Sequence, residues 1–139
     1  MSAGARRVLL VEDQADLADS LRLLLERRGH TVECACDGGS ALEAAARFAP
    51  EVVLLDIGLP DMSGLEVARR LREEAREARP RLIALSAVGP EFMGDADWRS
   101  AGFDDHVRKP VRAELLCELL RGTLPADASG RRRCQEWRR

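Results

Sequence analysis

Short apolar runs recur along this chain, separated by stretches with helical periodicity: Val8-Leu9-Leu10-Val11, Val52-Val53-Leu54-Leu55 and Leu82-Ile83-Ala84-Leu85. Four apolar residues without polar alternation describe a strand buried on both faces, the condition of a parallel sheet covered by helices. The stretches between the runs carry the period of such helices. After the first run, Leu17, Ala18, Leu21, Leu24 and Leu25 share one helical face, and Gly29 supplies a stop. Val32 to Ala35 predicts a second, less hydrophobic strand, and Asp37-Gly38-Gly39 a turn. Ala41, Leu42, Ala45 and Phe48 form the next stripe, halted before Pro50 because a residue preceding proline is pushed out of the α region.

Ser63 with Glu66 three residues on has the pattern of a capping box, and Val67, Ala68, Leu71 and Ala75 continue a stripe that ends before Pro80. From Gly89 to Ala101 the periodicity is weak, carried by Phe92, Met93, Ala96 and Trp98, and a fourth helix is expected there. Asp105-His106-Val107-Arg108 reads as a fifth strand. Leu115, Leu116, Leu119 and Leu120 mark a final helix, which Gly122 and Pro125 end. Five strands, each followed by a helix and joined by right-handed crossovers, predict a three-layer, doubly wound (βα)5 α/β sandwich.

A chain of 139 residues suits one domain that folds without disulfides or a structural metal. Cys34, Cys36, Cys117 and Cys134 show neither Cys-x-x-Cys spacing nor a histidine cluster, so reduced thiols packed as small hydrophobes are expected. No apolar stretch approaches the roughly 20 residues that span a bilayer. The N-terminus runs straight into the first strand without a signal-peptide core, and the expected location is the cytoplasm. Charge divides unevenly: residues 1–124 carry a net −5, and residues 125–139, with Arg131-Arg132-Arg133, a net +3. The first segment is expected to be the domain. The second reads as a basic, flexible tail, either solvated or in contact with an acidic partner.

In an open parallel sheet, the crevice at the C-terminal strand ends is where ligands bind. Asp56 closes the second run there, Glu12 and Asp13 end the first, Ser86 ends the third, and Lys109 follows the last strand. Adjacent acids raise each other's pKa unless a cation compensates. Mg²⁺ favours oxygen ligands, which Asp13, Asp56 and the backbone carbonyl of Gly58 would supply. If the Lys109–Pro110 bond is cis, the turn would aim the ammonium over the strand edge, where it can pair with Asp56. Each residue also has a plainer reading. Glu12 and Asp13 suit the first turn of the following helix, Ser86 a cap or turn, Lys109-Pro110 a surface turn.

Taken as a set, Val11-Glu12-Asp13, Asp56 with Pro60 and Gly64, Leu85-Ser86-Ala87, and Gly102-Phe103-Asp104-Asp105 leading to Lys109-Pro110 resemble the receiver domain of two-component response regulators, from about Arg6 to Leu124. The resemblance implies a flavodoxin-like sheet of order 2-1-3-4-5. It makes Asp56 the phosphoacceptor for a partner histidine kinase or phosphotransfer protein, with Mg²⁺ held by Asp13 and, through water, by Glu12. Lys109 would neutralise charge, and Ser86 would bind the arriving phosphoryl group. Signalling would pass through the face of the fourth helix, fifth strand and fifth helix to a downstream protein. Such a chain is a switch rather than an enzyme and touches neither membrane nor, by itself, nucleic acid.

Two departures stand out. Members usually carry Tyr or Phe three residues before the lysine, where this chain has His106, and the Ser86-to-Lys109 spacing of 23 is about one residue longer than the family's. His106 reads either as a weakened, pH-modulated switch residue or as an exposed strand-end histidine. Neither Gly58 nor Val88 offers a polar side chain to orient a hydrolytic water, so self-dephosphorylation is expected to be slow relative to members with polar groups there. A haloacid-dehalogenase-like phosphatase also uses a strand-end aspartate, but wants a second acid where Gly58 stands. A phosphorylation-independent docking module is a further alternative. No output region follows residue 124, which suits a single-domain regulator, a relay shuttle or the receiver of a hybrid kinase.

Overall fold

The computed structural model describes residues 6–74, 80–87 and 100–121. Five strands, β1 (Arg7–Val11), β2 (Thr31–Ala35), β3 (Val52–Asp56), β4 (Arg81–Ser86) and β5 (Asp105–Arg108), form one sheet of order β2-β1-β3-β4-β5. All neighbours are parallel. The described helices are α1 (Ala15–Arg27), α2 (Gly38–Phe48), α3 (Gly64–Glu74) and α4 (Ala113–Arg121). α4 is the final helix of the sequence reading. The expected fourth helix lies outside the described residues except for helical Ser100 and Ala101, as do Ala75, Gly122, Pro125 and the basic tail.

The apolar runs are continuous because each strand feeds two cores. Val8, Leu10, Leu54, Ile83, Leu85 and Val107 pack against α1 and α4, whereas Leu9, Val11, Val53, Leu55, Leu82 and Ala84 pack against α2 and α3. Each buried Leu, Ile or Val contributes about 1.5–3 kcal/mol relative to exposure. β2 lies at the sheet edge, which is why its sequence is more polar.

The stop after α1 has the expected cause. Gly29 sits at φ 96°, and the N–H groups of Gly29 and His30 donate to the carbonyls of Glu26 and Leu25, a Schellman arrangement that residues with a Cβ adopt at a cost. Other local expectations need correction. Gly38 and Gly39 are the first residues of α2 rather than a turn, with Asp37 as N-cap accepting from the Ser40 N–H at 2.7 Å. The buried line of α2 runs through Ala41 and Ala44, leaving Leu42, Ala45 and Phe48 half-buried. Ser63 Oγ accepts from the Glu66 N–H at 3.2 Å, but the Glu66 carboxylate turns to Arg69 and Arg70, so half of the capping box forms. Cys34 and Cys36 are exposed, and of the described cysteines only Cys117 packs in the core.

Candidate functional site

Parallel register brings the ends of β1, β3 and β4 to one rim: Val11 pairs with Leu55, and Asp56 with Leu85. Glu12 follows directly, its N–H donating to Ala35 O at 3.0 Å, and its carboxylate is buried. One of its oxygens, Oε2, accepts from the Gln14 N–H at 3.1 Å and fixes the turn into α1. Asp13 beside it is exposed. Because α1 begins at Ala15 with Gln14 as N-cap and Asp16 in the first turn, the helix-dipole reading of Glu12 and Asp13 does not hold. The two acids stand before the helix, over the sheet.

Asp56 is buried at the end of β3, with Oδ1 accepting from the Gly58 N–H at 3.1 Å. The next residue is tied across the sheet, Ile57 N–H to Leu85 O at 3.1 Å. Ser86, also buried, ends β4, and its carbonyl accepts from the Lys109 N–H at 2.8 Å. The Lys109–Pro110 peptide is cis. Lys109 Nζ lies 2.9 Å from Glu12 Oε1 and 3.3 Å from Asp56 Oδ2. Gln14, Ile57 and Ala87 complete the walls of the cleft that holds Asp13, Asp56, Ser86 and Lys109.

One carboxylate oxygen from each of Glu12, Asp13 and Asp56 falls within 4.8 Å of the others. Three carboxylates against one ammonium leave excess negative charge in a partly dry hollow. Burial pushes the Glu12 carboxyl above its ordinary range, and the nearby Asp56 charge adds to the rise; the hydrogen bonds from Lys109 and Gln14 oppose it without cancelling it. Burial alone would lower the Lys109 pKa, but the hydrogen bond to Glu12 and the charges of Asp56 and Glu12 outweigh it and raise it. Lys109 is therefore an ammonium at neutral pH. An all-oxygen, acidic donor set of this size suits a hard divalent cation such as Mg²⁺ and not a thiophilic one.

The histidine three residues before Lys109 is not at the surface. His106 is fully buried within β5, paired in register with Ala84, so the exposed strand-end reading is corrected. Val88 lies outside the described residues.

Sequence reasoning missed three polar braces, one beside this rim and two at the opposite, N-terminal edge of the sheet. Asp61 reaches back to the first two N–H groups of α2. Arg72 donates to Gly102 O at 3.0 and 2.7 Å, to Pro80 O at 2.6 Å and to Asp104 Oδ2 at 2.6 Å, locking α3 to the entries of β4 and β5. Arg81 binds buried Asp105 at 2.8 and 3.0 Å and also donates to Leu119 O in α4. The only trace of the two arginine braces in the sequence was the Gly102-Phe103-Asp104-Asp105 motif, which lies 24 residues from Arg81 and 30 to 32 from Arg72.

This doubly wound α/β domain gathers three carboxylates and one lysine at its C-terminal rim, a donor set that could hold a divalent cation. The family model for the response regulator receiver domain matches residues 8–121, and the chain belongs to that family. It is 41% identical over 119 residues to the probable transcriptional regulatory protein TcrX of Mycobacterium tuberculosis, covering 84% of this chain and 49% of that protein. The chain thus spans about half the length of the curated relatives it matches.

Among solved structures, the CheY-like receiver domain of Methylobacillus flagellatus superposes with a TM-score of 0.77 at 28% identity, covering 85% of this chain and 98% of that one. The receiver domain of the sensor histidine kinase PA1611 from Pseudomonas aeruginosa has a magnesium ion coordinated in its active-site cleft. It superposes with a TM-score of 0.74 at 28% identity, over 85% of this chain and 96% of that one. Sheet order and fold class therefore stand as expected. Among the described residues, no helix is long and apolar enough to cross a membrane.

Proposed function

We infer that this chain is a phosphorylatable receiver switch in which Asp56 accepts a phosphoryl group from a histidine kinase or histidine phosphotransfer protein. The observation that carries the reading is the Lys109 ammonium, 2.9 Å from Glu12 and 3.3 Å from Asp56, in a hollow where three carboxylates converge within 4.8 Å. In the transfer, an Asp56 carboxylate oxygen forms a bond to phosphorus as the phosphorus–nitrogen bond of the phosphohistidine breaks, and the departing imidazole takes up a proton. Asp13, Asp56, the Gly58 carbonyl and, through water, Glu12 would hold Mg²⁺. Bound there, the ion supplies neutralisation of the phosphoryl oxygens. Lys109 would trade its contact with Asp56 for one with a phosphoryl oxygen, and the Ser86 hydroxyl would donate to another.

The buried position of Ser86 at the end of β4 supports a role in relaying the change. Drawing its hydroxyl inward would move the segment after it and repack the face made by residues 89–101, β5 and α4, with His106 as the switch residue. A downstream protein would read that face. The receiver would occupy residues 1–124, with 125–139 as a basic tail, and its chemistry would be limited to its own phosphorylation and a slow loss of phosphate. Incubation with acetyl phosphate and Mg²⁺ tests the reading by intact mass. One added phosphoryl group, absent from Asp56→Ala, is expected; an unlabelled wild type, or labelling that survives in Asp56→Ala, overturns it.

A further inference from the structure

The loop after Asp56 is fastened at its far end by a residue that the proposed chemistry leaves unused. Asp61 Oδ1 accepts from the Gly38 N–H at 2.7 Å, and Oδ2 from the Gly39 N–H at 3.0 Å. The next N–H of α2, that of Ser40, is taken by Asp37 at 2.7 Å. Two carboxylates from different parts of the chain thus satisfy the first three N–H groups of one helix, which would otherwise face water unpaired. Those two N–H bonds hold the Asp61 carboxyl below its usual range, so it is an anion at neutral pH, as a helix N-terminus favours.

Asp37 is the helix's local cap, whereas Asp61 comes from the loop after β3, so its two bonds fix that loop as well as the start of α2. Its attachment presses the 57–63 loop against the helix start. A Cβ at Gly38 would lie 2.5 Å from Met62 Cγ, so a side chain there would have to displace Met62. At its other end the loop is closed by Gly64 N–H to Ile57 O at 2.9 Å and by Gly58 N–H to Asp56 Oδ1 at 3.1 Å. Gly58 itself is exposed, with nothing within 4 Å of where its Cβ would be. The side of Gly58 where a Cβ would stand is therefore open. Gly58 lies between two tethers of the loop, its own N–H bound to Asp56 and Asp61 bound to α2.

We propose that Asp61 is a positioning residue for the cation site, holding the Gly58 carbonyl at the rim by clamping the 57–63 loop to the N-terminus of α2. This rests on the reading of the cleft given above. The Asp61 carboxylate is a remote anchor and touches no reacting group. Losing such an outer support of a metal ligand weakens affinity by about tenfold.

Calorimetric titration of Mg²⁺ into the unphosphorylated protein tests this, with wild type, Asp61→Ala, Asp61→Asn and Asp37→Ala in parallel and a thermal melt of each. Asp61→Ala is expected to weaken Mg²⁺ binding by about tenfold. Asp61→Asn, with one acceptor oxygen left, should fall between. Asp37→Ala removes a cap of the same helix and should lower the melting midpoint without changing Mg²⁺ affinity. The proposal is overturned if Asp61→Ala binds Mg²⁺ as wild type does, or if Asp37→Ala weakens binding equally, since both results reduce Asp61 to a helix cap. A wild type that shows no Mg²⁺ binding overturns the cation-site reading and this proposal with it, whereas normal wild-type binding with an unaffected Asp61→Ala sinks the positioning role alone.

Discussion

Lys109 Nζ sits 2.9 Å from Glu12 Oε1, and this ion pair is the electrostatic hinge of the rim because the Glu12 side chain has no exposure and Lys109 only 17%. Removing one partner of a buried pair leaves an uncompensated charge. Lys109→Ala is expected to cost about 3 kcal/mol in urea denaturation at neutral pH. The sign of its pH dependence follows from Glu12, whose carboxyl is already raised by burial and loses its main opposing bond. A folded-state pKa above the unfolded one means that stability is greatest at low pH and declines as pH rises through the folded value. The deficit of the variant should therefore shrink as pH falls below neutrality and be relieved by millimolar Mg²⁺; a loss independent of both would refute the charge argument.

Gly64 allows α3 to start against the strand that carries Asp56. A Cβ there would lie 2.7 Å from both Asp56 O and Ile57 Cα, which are backbone atoms and cannot swing aside. Gly64→Ala is expected to lose about 1–3 kcal/mol through overpacking. Because the displaced atoms belong to Asp56 and its neighbour, acetyl phosphate labelling should slow even at temperatures where the variant is fully folded. Normal labelling would show that the strand end absorbs the methyl without moving.

The Arg72 guanidinium satisfies the carbonyls of Pro80 and Gly102 together with Asp104, which in turn accepts from the Leu82 N–H at 2.9 Å. Arg72→Ala leaves several part-buried acceptors unpaired and should cost about 2–4 kcal/mol, while Asp104→Asn, which keeps an oxygen for Leu82, should cost about 1 kcal/mol. Chemical denaturation of the two variants gives the comparison. Equal losses would mean that the carbonyl bonds contribute little.

His30 clasps the starts of β1 and β2, its Nδ1 accepting from the Arg6 N–H at 3.1 Å. Burial, and then the charge of Arg6, hold the imidazole below its ordinary 6.5. The unfolded chain therefore binds more protons than the folded one between the depressed value and about pH 6.5. Stability from this group is fully present above that window and is lost as pH falls through it. His30→Gln retains an acceptor for Arg6 but does not titrate, so its denaturation midpoint should fall less between about pH 7.5 and pH 5 than that of wild type. Parallel curves for the two proteins would remove His30 as the source.

The sheet was legible because its information is local and redundant. Each apolar run states by itself that a strand is buried on both faces, and Gly29 marks the end of α1 with backbone chemistry alone. Asp56, Glu12, Asp13, Ser86 and Lys109 were legible for a related reason: strand ends in a parallel sheet share one rim, so position in the chain already implies proximity. Where two local signals conflicted, tertiary contacts chose. Asp37-Gly38-Gly39 has the composition of a turn, yet Asp37 accepts from the Ser40 N–H and Asp61 from both glycine N–H groups, and the segment begins a helix.

What composition and periodicity determined was an alternating α/β domain with an acidic rim, because burial on two faces and helical amphipathicity are written in consecutive residues. Only the tertiary structure decided that Lys109 faces Glu12 as well as Asp56, that His106 is enclosed, that Asp61 ties the loop beside the rim to α2, and that Arg72 and Arg81 brace the opposite edge of the sheet. Those contacts join side chains from separate elements, and a long polar side chain has no periodicity from which its partner can be read.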